Sequence, residues 1–306
     1  MVSKLKSSLP VNLYPIFIFI AVILTGLITP DTIGEGENIY LLIVTLEIIA
    51  LVIPSIIYCH LQGFDYAKGL EIKIPELGKL PIIFSTLFAM ISFNILLGLV
   101  MSSMGMISGT GSAGTVDSVP ADMNILGVVI ALAVIPAICE EFVFRSVLMR
   151  DYNKYGATFS IIATSVMFAM IHFDLSKLPV YFAGGVLLAL SVYVTRSIVC
   201  SILIHTLYNV YGIFFESLFW KSISKNISSP LIVFIAVAVL LVSLLVLFSE
   251  SQRIFLDYAT MGVRPPEGYR KKDRNKDENK NTGVVQVLPA IGVCIIIFVI
   301  YIVIKG

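Results

Sequence analysis

The sequence predicts an all-α, polytopic membrane bundle of about eight to nine transmembrane helices, and three observations predict it. The first is composition: 58% of the 306 residues are hydrophobic and 13% are charged, where soluble domains carry about 25% charged residues. The second is a series of apolar runs, each of about 17–25 residues, the length that crosses a bilayer as a helix. The third is the alternation of basic and base-poor loops between those runs.

The runs fall at 12–29, 39–58, 81–103, 123–149, 157–173, 178–195, 197–219, 231–249 and 288–304. The N-terminal stretch has a basic start and an apolar core, as a signal peptide does. It lacks a small-x-small cleavage site before the acidic loop 31–37, so a retained first span is expected. Lys4 and Lys6 precede span one, and the loop DTIGEGE after it is purely acidic. Lys68, Lys73 and Lys79 follow span two, and the Gly/Ser-rich loop 105–122 has Asp117 and Asp122 but no base. Arg150, Lys154 and Arg196 follow, then the basic stretch RPPEGYRKKDRNKDENK at 264–280. This pattern places the N-terminus in the cytoplasm, with Lys221 and Lys225 on the opposite side to the rule. The expected divisions are N-terminal helices over 1–103, a helical core over 123–220, a further span at 231–249, a charged cytoplasmic linker over 250–287 and a last span at 288–304. The linker reads as a solvated flank of the membrane, with anionic lipid as its second reading.

Several function classes are excluded. A net charge of +1 gives no footing for a nucleic-acid partner. Cys59, Cys139, Cys200 and Cys294 lie apart in apolar segments without metal or disulfide spacing. GTGSAG at 109–114 fits GxGxxG but follows no strand, so it is no nucleotide loop. The sequon at Asn226 carries little information, and His60 sits at a membrane border without partners.

The informative residues are polar ones inside apolar spans. Span four carries CEEFVFR (139–145), and a charged side chain near a bilayer centre costs about 2.5–3.5 kcal/mol at the low end. Glu141 and Arg145 are spaced i,i+4, one turn apart on one face, which is ion-pair geometry. Glu140 points about 100° away and is left to face a cavity. Pro136 should kink the helix beside the pair. FAMIH puts Phe168 and His172 on one face of span five; HTLYN puts His205 and Asn209 on one face of span seven. Alone, His172 reads more often as a packed residue with a satisfied hydrogen bond, and His205 with Asn209 reads evenly as an interhelical hydrogen bond or a site.

Together, a free carboxylate, two imidazoles and a carboxamide are the parts of a site that activates water. A carboxylate in an apolar pocket takes up a proton more readily than one in water, an imidazole can share the water or hold a metal, and an amide can donate to an oxyanion. HExxH is absent, so any metal site is unlike that of the soluble zincins. Depth gives a conflict. Glu140 lies about 15 Å from Arg150 and His205 about 13 Å from Arg196, but His172 lies about 27 Å from Lys154. It comes out a turn or two too deep.

The order EExxxR, FxxxH, HxxxN, each inside an apolar helix, resembles the CPBP family of CAAX-protease and bacteriocin-processing membrane proteases. It reads here as Glu140-Glu141-x-x-x-Arg145, Phe168-x-x-x-His172 and His205-x-x-x-Asn209, and the likeness covers about 123–215. The resemblance implies an intramembrane endopeptidase acting on a membrane-associated, prenylated or otherwise anchored peptide. Glu140 and His172 would activate the water, His205 with Asn209 would support the oxyanion, and Glu141, Arg145 and Phe168 would assist. Glu140, His172 and His205 are the candidate ligands if a divalent metal such as zinc is used; a metal-free glutamate mechanism fits the same motifs. Two other readings stay open. One is a non-catalytic immunity or scaffold protein with the same residues packing helices. The other is a proton-coupled transporter, which would show inverted repeats that the sequence lacks.

Overall fold

The structure is a computed structural model that describes residues 9–27, 38–63, 72–104, 124–220, 229–263 and 274–305. All regular structure among them is helical. In chain order the helices are α1 (Leu9–Gly26), α2 (38–62), α3 (Leu80–Ser103), α4 (Ile125–Tyr155), α5 (Ala157–Met170), α6 (Leu178–Thr195), α7 (Ile198–Phe215), α8 (Ser229–Thr260) and α9 (Arg274–Lys305). Seven contain stretches long and apolar enough to cross a bilayer; α1 and α5 are apolar but shorter. This is the polytopic helical bundle that the composition and apolar runs predict. The loops 31–37 and 105–122, with GTGSAG, lie outside the described residues, as do Lys221, Lys225 and Asn226.

Local chemistry sets the helix ends that matter for the site. Asn124 caps α4, its Oδ1 accepting from the Leu126 amide at 3.0 Å. Pro81 and Pro179 sit in the first turns of α3 and α6, where no intrahelical N–H is needed. After α5 the chain turns at Phe173, in the left-handed region at φ 47. A bulky residue is uncommon there. Packing holds it: the Phe173 ring lies 4.4 Å from that of Tyr301 and 6.0 Å from those of Phe19 and Phe298.

Three helices carry widened π-turns: Ile48–Val52 in α2, Ile130–Val134 and Phe142–Leu148 in α4, and Tyr211–Phe215 in α7. In α2 and α4 the π-turn ends two residues before a proline, Pro54 or Pro136, within a shared Val-Ile-Pro. A proline removes a backbone donor and crowds the preceding turn; a locally widened turn accommodates both. All three helices line the cavity described below.

Small residues let α5 and α6 approach closely. A Cβ on Gly185 would meet the Ser165 backbone at 3.1 Å and the Phe168 ring at 3.2 Å. Buried Ser160, Thr164, Ser165, Ser191 and Thr195 turn their hydroxyls onto backbone carbonyls, so this polar seam is satisfied within the bundle.

Two boundaries differ from expectation. Helix α4 runs to Tyr155, so Arg150 and Lys154 lie within its last turns instead of marking one membrane border. Glu140 lies fifteen residues before Tyr155 and His172 fifteen after Ala157, about 22 Å along the chain in each case. Counted from the turn that joins the two helices, Glu140 and His172 therefore reach the same level. The charged segment 250–287 is helical at both ends, with residues 264–273 outside the described set. Helix α8 continues to Thr260 because Arg253 pairs with Glu250 at 2.6 Å and reaches the Gly78 carbonyl, while Ile254 is buried against Ile82, Val194 and Leu247.

Candidate active site

The site is built from α4, α7 and the turn after α5. Glu141 and Arg145, both fully buried, form the expected pair along α4, Nε to Oε2 at 3.2 Å. The pair is not self-contained. The other oxygen of Glu141 accepts from His205 Nδ1 on α7 at 3.0 Å. Arg145 also donates to the Gly185 carbonyl at 3.3 Å and lies 4.7 Å from the centre of the Phe168 ring. Two charges taken this far from water offset one another as a pair, while Arg145 Nη1 is left without a hydrogen-bond partner.

Glu140 faces elsewhere, as the helical spacing predicts. Its Oε2 is buried without a hydrogen-bond partner. It lies 3.8 Å from His172 Nε2 and 3.8 Å from His205 Nε2. Those gaps are too long for direct hydrogen bonds, yet one water can bond to both ends of each. The rings are held in place from behind. His172 Nδ1 lies 2.8 Å from the Phe168 carbonyl, its ring stacks on Tyr181 at 3.9 Å, and Phe168 meets both imidazoles edge-on at 5.1 and 5.7 Å.

The tautomers follow. A carbonyl and a carboxylate only accept, so both Nδ1 atoms carry protons, and in neutral rings both Nε2 atoms are lone pairs aimed at Glu140. With Glu140 ionised, three acceptors converge and a single water supplies only two protons. One further proton, or a cation, completes the arrangement.

Asn209 lies on the same wall, its amide donating to the Ala133 carbonyl at a long 3.4 Å. The space enclosed is about 370 Å³, lined by Glu140, His172, His205 and Asn209 together with Pro136, Tyr181, Tyr208, Asn94, Glu216 and Glu47. The structure thus brings together every residue the motifs single out. It adds Tyr181, which no helical spacing marks, and Glu47 on α2. Glu47 had a signal: it is the one Asp, Glu, Lys or Arg between Tyr40 and Gln62, within an apolar span.

Two imidazole nitrogens and a carboxylate are a donor set that zinc takes in hydrolases. As placed, however, no three His, Cys, Asp or Glu groups among the described residues are close enough together to hold an ion.

A membrane-embedded helical core with a buried Glu–His–His cavity is the class that fold and site define. Residues 122–211 match the model of the type II CAAX prenyl endopeptidase Rce1-like family, a stretch that contains all three motifs. A relative in Staphylococcus aureus (strain USA300), described as the membrane-embedded CAAX protease MroQ, is 33% identical over 103 residues, covering 31% of this chain. The match spans 41% of that protein's length. No solved structure matches the chain. The resemblance to the CPBP family that the motifs carry is therefore shown, on the segment that builds the site.

Proposed function

We propose that the protein is an intramembrane endopeptidase that hydrolyses a peptide bond with water activated by Glu140. The observation that carries this reading is the unbonded Glu140 Oε2 facing two imidazole lone pairs at 3.8 Å in a common cavity. Water bound there donates one proton to Glu140 and one to His172 Nε2. In the proposed step the third proton sits on His205 Nε2, the ring whose Nδ1 is held by Glu141. As the water oxygen attacks the carbonyl carbon, Glu140 takes its proton. His205 Nε2–H donates to the developing oxyanion, and Asn209, whose bond to Ala133 is long enough to exchange, donates beside it. The carbon–nitrogen bond then breaks as Glu140 returns the proton to the leaving nitrogen.

A membrane-associated peptide or protein is the substrate class we assign, because the cavity opens among helices apolar enough to span a bilayer. A prenylated peptide is the narrower candidate, resting on the family description and the relative's name. The metal reading is favoured by the three converging acceptors: a divalent ion such as zinc at Glu140, His172 and His205 would satisfy them and polarise the carbonyl. Its weakness is the spread of those groups. Membrane lipid is the remaining expected partner, and the cytoplasmic N-terminus inferred from loop charge stays part of this proposal.

The test is incubation of purified protein in vesicles with peptides anchored by a prenyl, an acyl or a transmembrane segment. Cleavage of at least one, resistant to metal chelators, supports the metal-free mechanism. Loss with chelator and recovery with zinc transfers the proposal to the metal form. No cleavage of any anchored peptide, alongside full biological activity, supports the non-catalytic scaffold reading.

A further inference from the structure

The mechanism leaves the half-buried Glu47 of the cavity without a task. Glu47 lies on α2, across from α4, and lines the same cavity as Glu140, His172 and His205. The α2 segment that contains it packs directly against the segment of α4 that ends in Glu141. Its Oε2 is buried and accepts no hydrogen bond. The other carboxylate of the cavity outside the motifs, Glu216, is already engaged by Asn94 Nδ2 at 3.0 Å. An acid in the middle of an apolar span carries the insertion cost that marks Glu140 itself, with no hydrogen bond at Oε2 to offset it.

Resting on the protease reading above, we propose that Glu47 receives the leaving amine, holding the new amino terminus of the departing fragment as an ammonium ion. Peptide hydrolysis creates charge that its reactants lack. The water oxygen bonds to the carbonyl carbon and the carbon–nitrogen bond breaks. The freed nitrogen takes one proton from Glu140 and a second from the new carboxylic acid. A carboxylate and an ammonium result, inside a cavity where separated charges are poorly solvated. The new carboxylate stays by His205 and Asn209. Glu140, left ionised by the transfer, must be free of the ammonium before the next water is activated, and Glu47 supplies a second acceptor with a vacant oxygen in the same cavity.

An amide releases an amine that becomes a cation; an ester of the same sequence releases a neutral alcohol. Glu47 therefore matters for one leaving group and not for the other. The experiment compares an anchored peptide that the wild type cleaves with its depsipeptide, in which the scissile amide is replaced by an ester, against wild type, E47Q and E47D in vesicles. E47Q should lose on the order of 10-fold or more in amide turnover, the scale of one charge-assisted hydrogen bond, and stay within about 2-fold on the ester. E47D should recover part of the amide rate, because it keeps the charge. Equal losses on both substrates make Glu47 a structural residue and overturn the inference, as does an unchanged amide rate. If the wild type cleaves neither substrate, the protease reading itself falls.

Discussion

Glu141 Oε1 accepts from His205 Nδ1 at 3.0 Å while its Oε2 faces Arg145 Nε at 3.2 Å. One fully buried carboxylate thus fixes a ring on α7 and a guanidinium on α4. Glu140, the next residue, has no such bond at Oε2 and faces the cavity. The 100° turn between them sends two adjacent glutamates to different surroundings, one to partners inside the bundle and one to the cavity.

Glu141→Gln keeps an acceptor for His205 but removes the charge that answers both partners. We expect cleavage to fall about 10- to 100-fold, the scale of losing a charge-assisted hydrogen bond. The midpoint of thermal unfolding in detergent should also fall, because Arg145 is left buried without its counter-ion. The two losses are measured separately on one purified sample.

Gly185→Ala places a methyl 3.1 Å from the Ser165 backbone and 3.2 Å from the Phe168 ring. The backbone contact cannot yield, so α5 and α6 must separate. Phe168 touches Arg145 and both site histidines, so activity should drop more than expression does. Overpacking of this kind costs about 1–3 kcal/mol. Cleavage rate per folded molecule, with Gly184→Ala as a neighbour control, checks it. There the added methyl meets only the Met90 methyl at 3.1 Å, the far end of a flexible side chain.

Tyr181 is stacked 3.9 Å from His172, which reaches Glu140 from the far side. Tyr181→Phe keeps the stacked ring and should cleave at a near-normal rate. Tyr181→Leu removes it and should slow cleavage about 2- to 10-fold, the worth of one aromatic pair. Comparison of kcat for the two variants separates ring packing from any role of the hydroxyl.

Much of this was legible in the chain. The apolar runs gave the helices, because a span must satisfy its backbone internally whatever its neighbours are. The spacings Glu141–Arg145 and His205–Asn209 fixed which side chains share a face. What escaped was tertiary. Arg150 and Lys154 read as interface markers, yet both sit inside α4, so Glu140 and His172 were counted from unequal starting points. Tyr181 meets His172 through a turn whose geometry depends on Phe173 packing against α1 and α9. Glu47 stood alone in its span, and the carboxylate's shared cavity with Glu140 depends on how α2 sits against α4.

The most direct measurement is cleavage of an anchored peptide by Glu140→Gln in vesicles, beside wild type of equal purity and thermal stability. The substitution preserves the size of the side chain and removes its capacity to take a proton from water. The account predicts a fall of at least about 100-fold, the contribution of a general base, with the protein still folded. A Glu140→Gln variant that cleaves at the wild-type rate would contradict it.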